Sequence, residues 1–390
     1  MDPRVDVAVY YFPQYHPDAR NDRWHGDGWT EWELVKAARP RFPGHRQPVV
    51  PGWGYFDESD PCWAAREIDL AADHGITCFI YDWYWYEDGP FLQDGLEKGF
   101  LNAPNNQRLN FALMWANHDW INVHPAKLAH APEVLMYAGV SRKAFDEFTD
   151  YVVETYFRQP NYWRVNGEPY FSIYELETFV AGIGGMDQAR DALDGFRAKT
   201  RAAGFDGLHL NAIVRGVSLL PVESDLPEPE LMVESLGFSS VGTYTWVHHS
   251  SPNADGFPIG SYETAAARNY GAWDEFSALF RTPYYPNVTM GWDSSPRTIQ
   301  TDVYTQAGYP WTAMLQGNTP EAFRDALSRA KAFVVSPESR QRIVTINAWN
   351  EWTEGSYLLP DTVHGNAYLE AIREVFGQGS RSLSEGRSHL

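Results

Sequence analysis

Ile343-Val344-Thr345-Ile346-Asn347-Ala348-Trp349, running on into Asn350-Glu351-Trp352-Thr353-Glu354-Gly355, is the stretch on which the fold turns. A short β-branched run, too brief for a helix, breaks off into amides, indoles and acids. The same grammar recurs upstream. Apolar runs at residues 7–12, 76–83, 110–116, 169–174, 208–214, 241–246 and 287–292 read as strands, and 343–349 is the eighth.

Amphipathic stretches separate them. Residues 60–74 open on Asp60-Pro61, a capping residue followed by proline at the first helical position, and stop at Gly75. Residues 141–157 open on Ser141, 187–203 end before Gly204, 262–280 show helical spacing, 319–333 open on Thr319-Pro320, and 366–376 follow the last strand. Eight alternating βα units predict an α/β fold, a closed (β/α)8 barrel, over residues 1–377. No Gly-x-Gly-x-x-Gly follows any strand, which argues against an open dinucleotide-binding sheet. Residues 15–60 are too long for an ordinary βα connection and are rich in Trp, Gly, Pro and His; they read as an elaborated loop over the barrel mouth. The polar tail, 378–390, reads as disordered.

Bulk composition narrows the partners. Against 31 basic residues stand 51 acidic ones, a net charge of -20, which disfavours nucleic acid and anionic membrane. No apolar run reaches the roughly 20 residues of a membrane span. No signal-peptide core precedes the first strand, so a cytoplasmic location is expected. Cys62 and Cys78 do not make a disulfide framework, no Cys/His spacing resembles a metal site, and no cofactor is implied. Sixteen Trp, about threefold above an ordinary chain, and 22 Tyr point to sugars, because aromatic faces stack on their C–H surfaces while Tyr and Trp add a polar handle.

Catalytic groups of such barrels sit where the strands end. Those ends carry Gln14 and His16 (with Tyr11 in the strand), Asp82, Trp83 and Trp85, then Trp115, Asn117, His118 and Asp119. Later ends carry Tyr244 and Trp246, Trp292 and Asp293, and finally Trp349, Asn350, Glu351, Trp352 and Glu354. Trp29 and Glu31 lie in the long first loop. Asp, Glu and Asn offer hydrogen bonds to vicinal hydroxyls, and the aromatics offer platforms, so these are the candidate substrate-binding residues. Each has a structural alternative, as a helix cap, a loop-backbone partner or a core aromatic.

Glu351 and Glu354 are the candidate catalytic pair, because glycosidic cleavage usually employs two carboxyl groups. Gly355 would let the chain curl so that both face the axis, and the flanking Trp349 and Trp352 would desolvate one acid and raise its pKa. The alternative is a pair of surface glutamates at a helix start.

Two ordered signatures carry a family resemblance. Tyr10-Tyr11-Phe12-Pro13-Gln14-Tyr15-His16-Pro17, Asn21-Asp22, and Trp24-His25-Gly26-Asp27-Gly28-Trp29-Thr30-Glu31-Trp32, continued by residues 40–48, resemble the opening of WbsX-type proteins. Residues 347–355 with Leu359-Pro360-Asp361 resemble that family's C-terminal signature. The WbsX-type group is similar to glycoside hydrolase family 99, the endo-α-mannosidases and mannanases. The resemblance implies a (β/α)8 barrel and an oligosaccharide or polysaccharide substrate. It also implies roles for the Glu-x-x-Glu pair: Glu351 as base on a substrate 2-hydroxyl, giving a 1,2-anhydro sugar, and Glu354 as general acid and then base. Substrate specificity does not carry over, because the first loop has no family-99 counterpart that aligns. Three readings stand at this point: a glycoside hydrolase on an α-linked, mannose-like sugar, a glycosyltransferase of cell-surface polysaccharide assembly, and a non-catalytic sugar-binding barrel.

Overall fold

The computed structural model describes residues 4–215, 228–337 and 339–377; the expected disordered tail at 378–390 lies outside them. The parallel barrel strands are β1 (Asp6–Tyr11), β2 (Cys78–Tyr86), β3 (Asn110–Trp115), β4 (Glu168–Ile173), β5 (His209–Ile213), β6 (Ser240–Gly242), β7 and β8 (Ile343–Asn347). β7 comes in two halves, Tyr284–Tyr285 and Asn287–Thr289, parted by Pro286, which has no N–H to give a ladder. Its first half pairs with β6 (Val241↔Tyr284) and its second with β8 (Asn287↔Thr345). β8 pairs in turn with β1 (Val7↔Val344), and β1 with β2 (Ala8↔Cys78). The ring therefore closes as a (β/α)8 barrel.

Local chemistry explains the helices. Asp60 caps α3 (Pro61–Asp73) by accepting from the N–H of Cys62, Ser141 caps α4 (Arg142–Tyr151) by accepting from Ala144, and Thr319 caps α9 (Pro320–Val335) by accepting from Ala322. The first loop contains α1 (Ala19–His25) and α2 (Trp32–Ala37), and between α4 and α9 lie α5 (Leu176–Ile183), α6 (Met186–Ala202), α7 (Pro229–Ser235) and α8 (Tyr262–Leu279). α10 (Ala367–Phe376) closes the ring of helices.

Three later strands end before the expected position. Residues 241–246 were expected to form one strand, but β6 stops at Gly242 and the chain turns through a short 3-10 segment, Trp246–His248. There the Trp246 N–H donates to Thr289 Oγ1 and its indole to the Asn287 carbonyl. Likewise β7 ends at Thr289 rather than Trp292, and β8 at Asn347 rather than Trp349. α5 and α7 were not foreseen; at eight and seven residues each is too short for its spacing to stand out, although α5 buries Leu176, Phe179, Val180 and Ile183 on one face.

Side chains alternate inward and outward along each strand. On β2, Asp82 and Tyr84 reach the barrel mouth, whereas Trp83 and Trp85 face the surrounding helices and pack on Phe148. On β3, Trp115 likewise packs outward on Phe145 and Phe148. The long first loop is tied down over the mouth. The Trp32 indole donates to the Phe56 carbonyl at 2.7 Å, Arg46 pairs with Asp361 at 2.6 Å, and the Gly52 N–H donates to the Pro360 carbonyl at 2.6 Å.

Candidate active site

A cleft opens at the C-terminal ends of the strands. Its floor on one side is acidic: Asp82 from β2, and Glu351 and Glu354 from the turn after β8. That turn is a short 3-10 segment, Trp352–Glu354, closed by Gly355 at φ 66. A Cβ on Gly355 would stand 2.8 Å from the Cβ of Asp293, so both its left-handed backbone and its close neighbour demand glycine. The curl expected from the sequence is the one that brings both glutamates to the cleft.

Arg297 organises the acids, and nothing in the sequence reading singled it out. It follows Ser295-Pro296 in the loop after β7 and is buried. Its Nε donates to Glu31 Oε1 at 2.8 Å, its Nη1 to Glu354 Oε1 at 2.5 Å, and its Nη2 to Glu351 Oε2 at 3.2 Å. Burial opposes its charge, but the carboxylates of Glu31, Glu354 and Glu351 outweigh that and hold it protonated. The Tyr309 hydroxyl donates to Glu354 Oε1 at 2.7 Å. Tyr244 Oη lies 2.7 Å from Asp82 Oδ2 and 3.2 Å from Glu351 Oε1. One hydroxyl has one proton to give, so the second contact calls for a protonated carboxyl.

The electrostatics agree. Burial, then the charge of Glu354, pushes Glu351 well above the usual carboxylate range against the pull of Arg297. Burial raises Glu354 too, opposed by Arg297 and by the Tyr309 hydrogen bond. Asp82 is driven well up by burial, with Tyr244 opposing. Burial thus raises the pKa of Asp82, Glu351 and Glu354 together, while Arg297 opposes it at each, the poise that acid–base chemistry needs.

The opposite wall is aromatic and imidazole-rich. Trp120 stacks on His124 at 5.4 Å between centroids and 13° between planes, and both line the cleft with His118. Tyr174, His248 and Arg215 continue the wall. Burial depresses the pKa of His118, His124 and His248, which makes them neutral hydrogen-bonding groups.

Of the residues singled out in the sequence, Asp82, His118, Tyr244, Trp292, Glu351 and Glu354 line the cleft. Glu31 lies behind it, bonded to Arg297 and to the Thr353 hydroxyl. Asp293 sits against Gly355, its carboxylate held at 2.8 Å by His45 and 2.7 Å by Gln47; burial opposes its charge, and these partners nonetheless keep it ionised. Asn350 bonds both the N–H and the carbonyl of Phe12, and Asn117 bonds both backbone groups of Glu175 with Oδ1 and Nδ2. Asp119 accepts the N–H of Ala138, and Gln14 accepts from Asn21. Trp29 tilts over His25 at the rim.

The others face away from the mouth. Tyr11 Oη lies 3.1 Å from Glu67 Oε2 and 3.2 Å from Glu58 Oε2, and His16 pairs with Glu58 at 2.9 Å. Trp349 donates its indole N–H to Glu67 at 2.9 Å, Trp352 stacks on Tyr357, and Trp246 packs on Tyr262. With Trp83, Trp85 and Trp115 they build the wall between barrel and helices. Trp120 and Tyr174, at the ends of the third and fourth expected strands but not among the candidates, line the cleft with Trp292; Arg215, His124, His248 and Tyr309 were not foreseen there, although Arg215 directly follows the expected strand 208–214.

The chain is thus a closed (β/α)8 barrel with clustered acids and aromatic walls at its mouth. Two solved structures support that fold. The family 99 endo-α-mannosidase from Bacteroides thetaiotaomicron, in complex with Bis-Tris propane, superposes with a TM-score of 0.59 at 14% identity, covering 95% of each chain. A glycoside hydrolase-like protein gives 0.64 at 13% identity, over 97% of this chain and 95% of that one. The chain belongs to the family described as "Glycosyltransferase WbsX", whose sequence profile matches residues 7–372. It is also 28% identical over 377 residues to the uncharacterized protein WxcX of two strains of Xanthomonas campestris pv. campestris. That match covers 95% of this chain but 49% of WxcX, so the chain spans about half the length of these relatives.

Proposed function

We propose that the protein cleaves an α-glycosidic bond in a mannose-like or related surface-polysaccharide sugar. The observation that carries this reading is the convergence of Glu351 and Glu354 on one cleft, bridged by Arg297, opposite the Trp120 indole. Glu351 takes the proton of the substrate 2-hydroxyl, whose oxygen attacks C1 and expels the leaving group as Glu354 protonates it. Water then gives its proton to Glu354 and opens the three-membered ring at C1, and Glu351 returns its proton to O2. Both carboxyl groups end as they began.

The test is the dependence on leaving group. Glu354→Gln should lose about 10²–10⁴ in turnover on an alkyl glycoside and far less on an aryl glycoside that leaves unaided, while Glu351→Gln should fail on both. Wild-type cleavage with no such difference between the variants overturns the assignment. One observation favours exchanged roles: Glu354 has two close donors in Arg297 and Tyr309, so the resting proton prefers Glu351. Leaving-group dependence in Glu351→Gln instead would establish that exchange. The family description supports a second reading, transfer to a growing polysaccharide; product analysis with an added acceptor sugar separates transfer from hydrolysis.

A further inference from the structure

Across the mouth from the glutamates, just beyond the end of β5, stands the cleft's second guanidinium. Arg215 Nη1 donates to Glu175 Oε1 at 2.9 Å. The Tyr174 ring lies against the guanidinium, 4.2 Å from Cζ to centroid. Glu175 is itself fixed, its other oxygen accepting from Thr178 Oγ1 at 2.6 Å and its backbone N–H donating to Asn117 Oδ1 at 2.8 Å. One edge and one face of the guanidinium are therefore clamped.

On the remaining edge, Arg215 Nε and Nη2 are buried and have no partner among the described residues. Their two N–H bonds run parallel, the geometry that receives both oxygens of a carboxylate. His248 also lines this part of the cleft: Tyr174 Oη is 3.4 Å from its Nε2, and its Nδ1 is buried without a partner among the described residues. With Nε2 accepting from the tyrosine, the neutral imidazole carries its proton on Nδ1. Three sheltered donors thus line one end of the cleft, and buried donors left unpaired cost free energy.

We infer that Arg215 and His248 form a subsite for a carboxylate borne by the sugar chain, so that the glycan bound is acidic. This rests on the proposal that the cleft holds a saccharide. Arg297 and Arg215 are the cations lining the cleft, and Arg297 is already engaged by three carboxylates. A lone guanidinium without lysine or a glycine-rich loop suits a planar monoanion better than a phosphate dianion. Hydroxyls of a neutral sugar would meet the same edge with uncharged and weaker bonds.

Calorimetric titration of the whole protein with matched pairs tests this. Methyl α-D-mannopyranosiduronate against methyl α-D-mannopyranoside, and the gluco and galacto pairs, differ only in a carboxylate replacing the C6 alcohol. At least one acid should bind about tenfold tighter than its neutral partner. Arg215→Met should abolish that preference, and Arg215→Lys should keep part of it. Equal or absent binding across all three pairs overturns the inference, as does a preference that survives in Arg215→Met. Mannose 6-phosphate binding tighter than every uronate overturns it in favour of a phosphate ligand. Should Arg215→Met fail to fold, the wild-type pairs decide. Acid-selective binding without cleavage would leave the subsite standing on a barrel that binds but does not hydrolyse, so the two failures are distinguishable.

Discussion

Replacing Arg297 with Met removes the cation that Glu31, Glu354 and Glu351 share at 2.8, 2.5 and 3.2 Å. At an effective dielectric of ~20, one such attraction is worth about 4 kcal/mol at a separation of ~4 Å. Desolvation of the four groups offsets most of the sum, and the net cost of orphaning buried charges is about 3–5 kcal/mol. With a melting entropy of about 0.8 kcal/mol/K for a chain of this length, Tm should fall by about 4–6 °C near pH 8.

The pH sign is determinate. Glu351 and Glu354 already hold their protons more tightly folded than unfolded, and losing Arg297 raises both further. The native variant then binds more protons than its unfolded chain, so its stability falls as pH rises. As pH falls, proton uptake by Glu351 and Glu354 compensates for the lost cation, so the deficit should be smaller near pH 5 than near pH 8. Thermal unfolding by circular dichroism at both pH values measures it. A drop under about 1 °C, or one equal at the two pH values, refutes the shared-cation account.

Glu67 is buried, its pKa raised to about 8 by desolvation, and it accepts from the Trp349 indole and the Tyr11 hydroxyl. Glu67→Gln should therefore cost under about 1 kcal/mol near pH 7, and Glu67→Ala about 2–3 kcal/mol by leaving both donors unpaired; chemical unfolding distinguishes them. Wild-type stability tied to Glu67 should fade as pH rises through about 8, and Glu67→Gln should remove that fading. Tyr309→Phe deletes a hydrogen bond that favours ionised Glu354, so the alkaline limb of kcat/KM should move to higher pH; an unmoved limb counts against Glu354 as the acid. Trp120→Ala should both raise KM and lower stability, whereas Trp115→Ala should cost about 3–5 kcal/mol of stability and leave KM unchanged, because Trp120 lines the cleft while buried against Tyr84 and Phe91, and Trp115 packs between barrel and helices.

The sequence by itself determined the βα alternation, the caps at Asp60, Ser141 and Thr319, and the acid-bearing turn after the last strand. These depend on neighbours within a few residues, and local chain chemistry settles them. It did not determine which alternate residues of a barrel strand face the axis. Both faces of such strands are covered, so Trp83 and Trp85 look no different in sequence from residues at the mouth, and only closure of the ring assigns the phase. Nor did it find Arg297, whose three carboxylates come from positions 31, 351 and 354. A cation held by charges so distant along the chain has no local signature; folding alone brings it into Coulombic range.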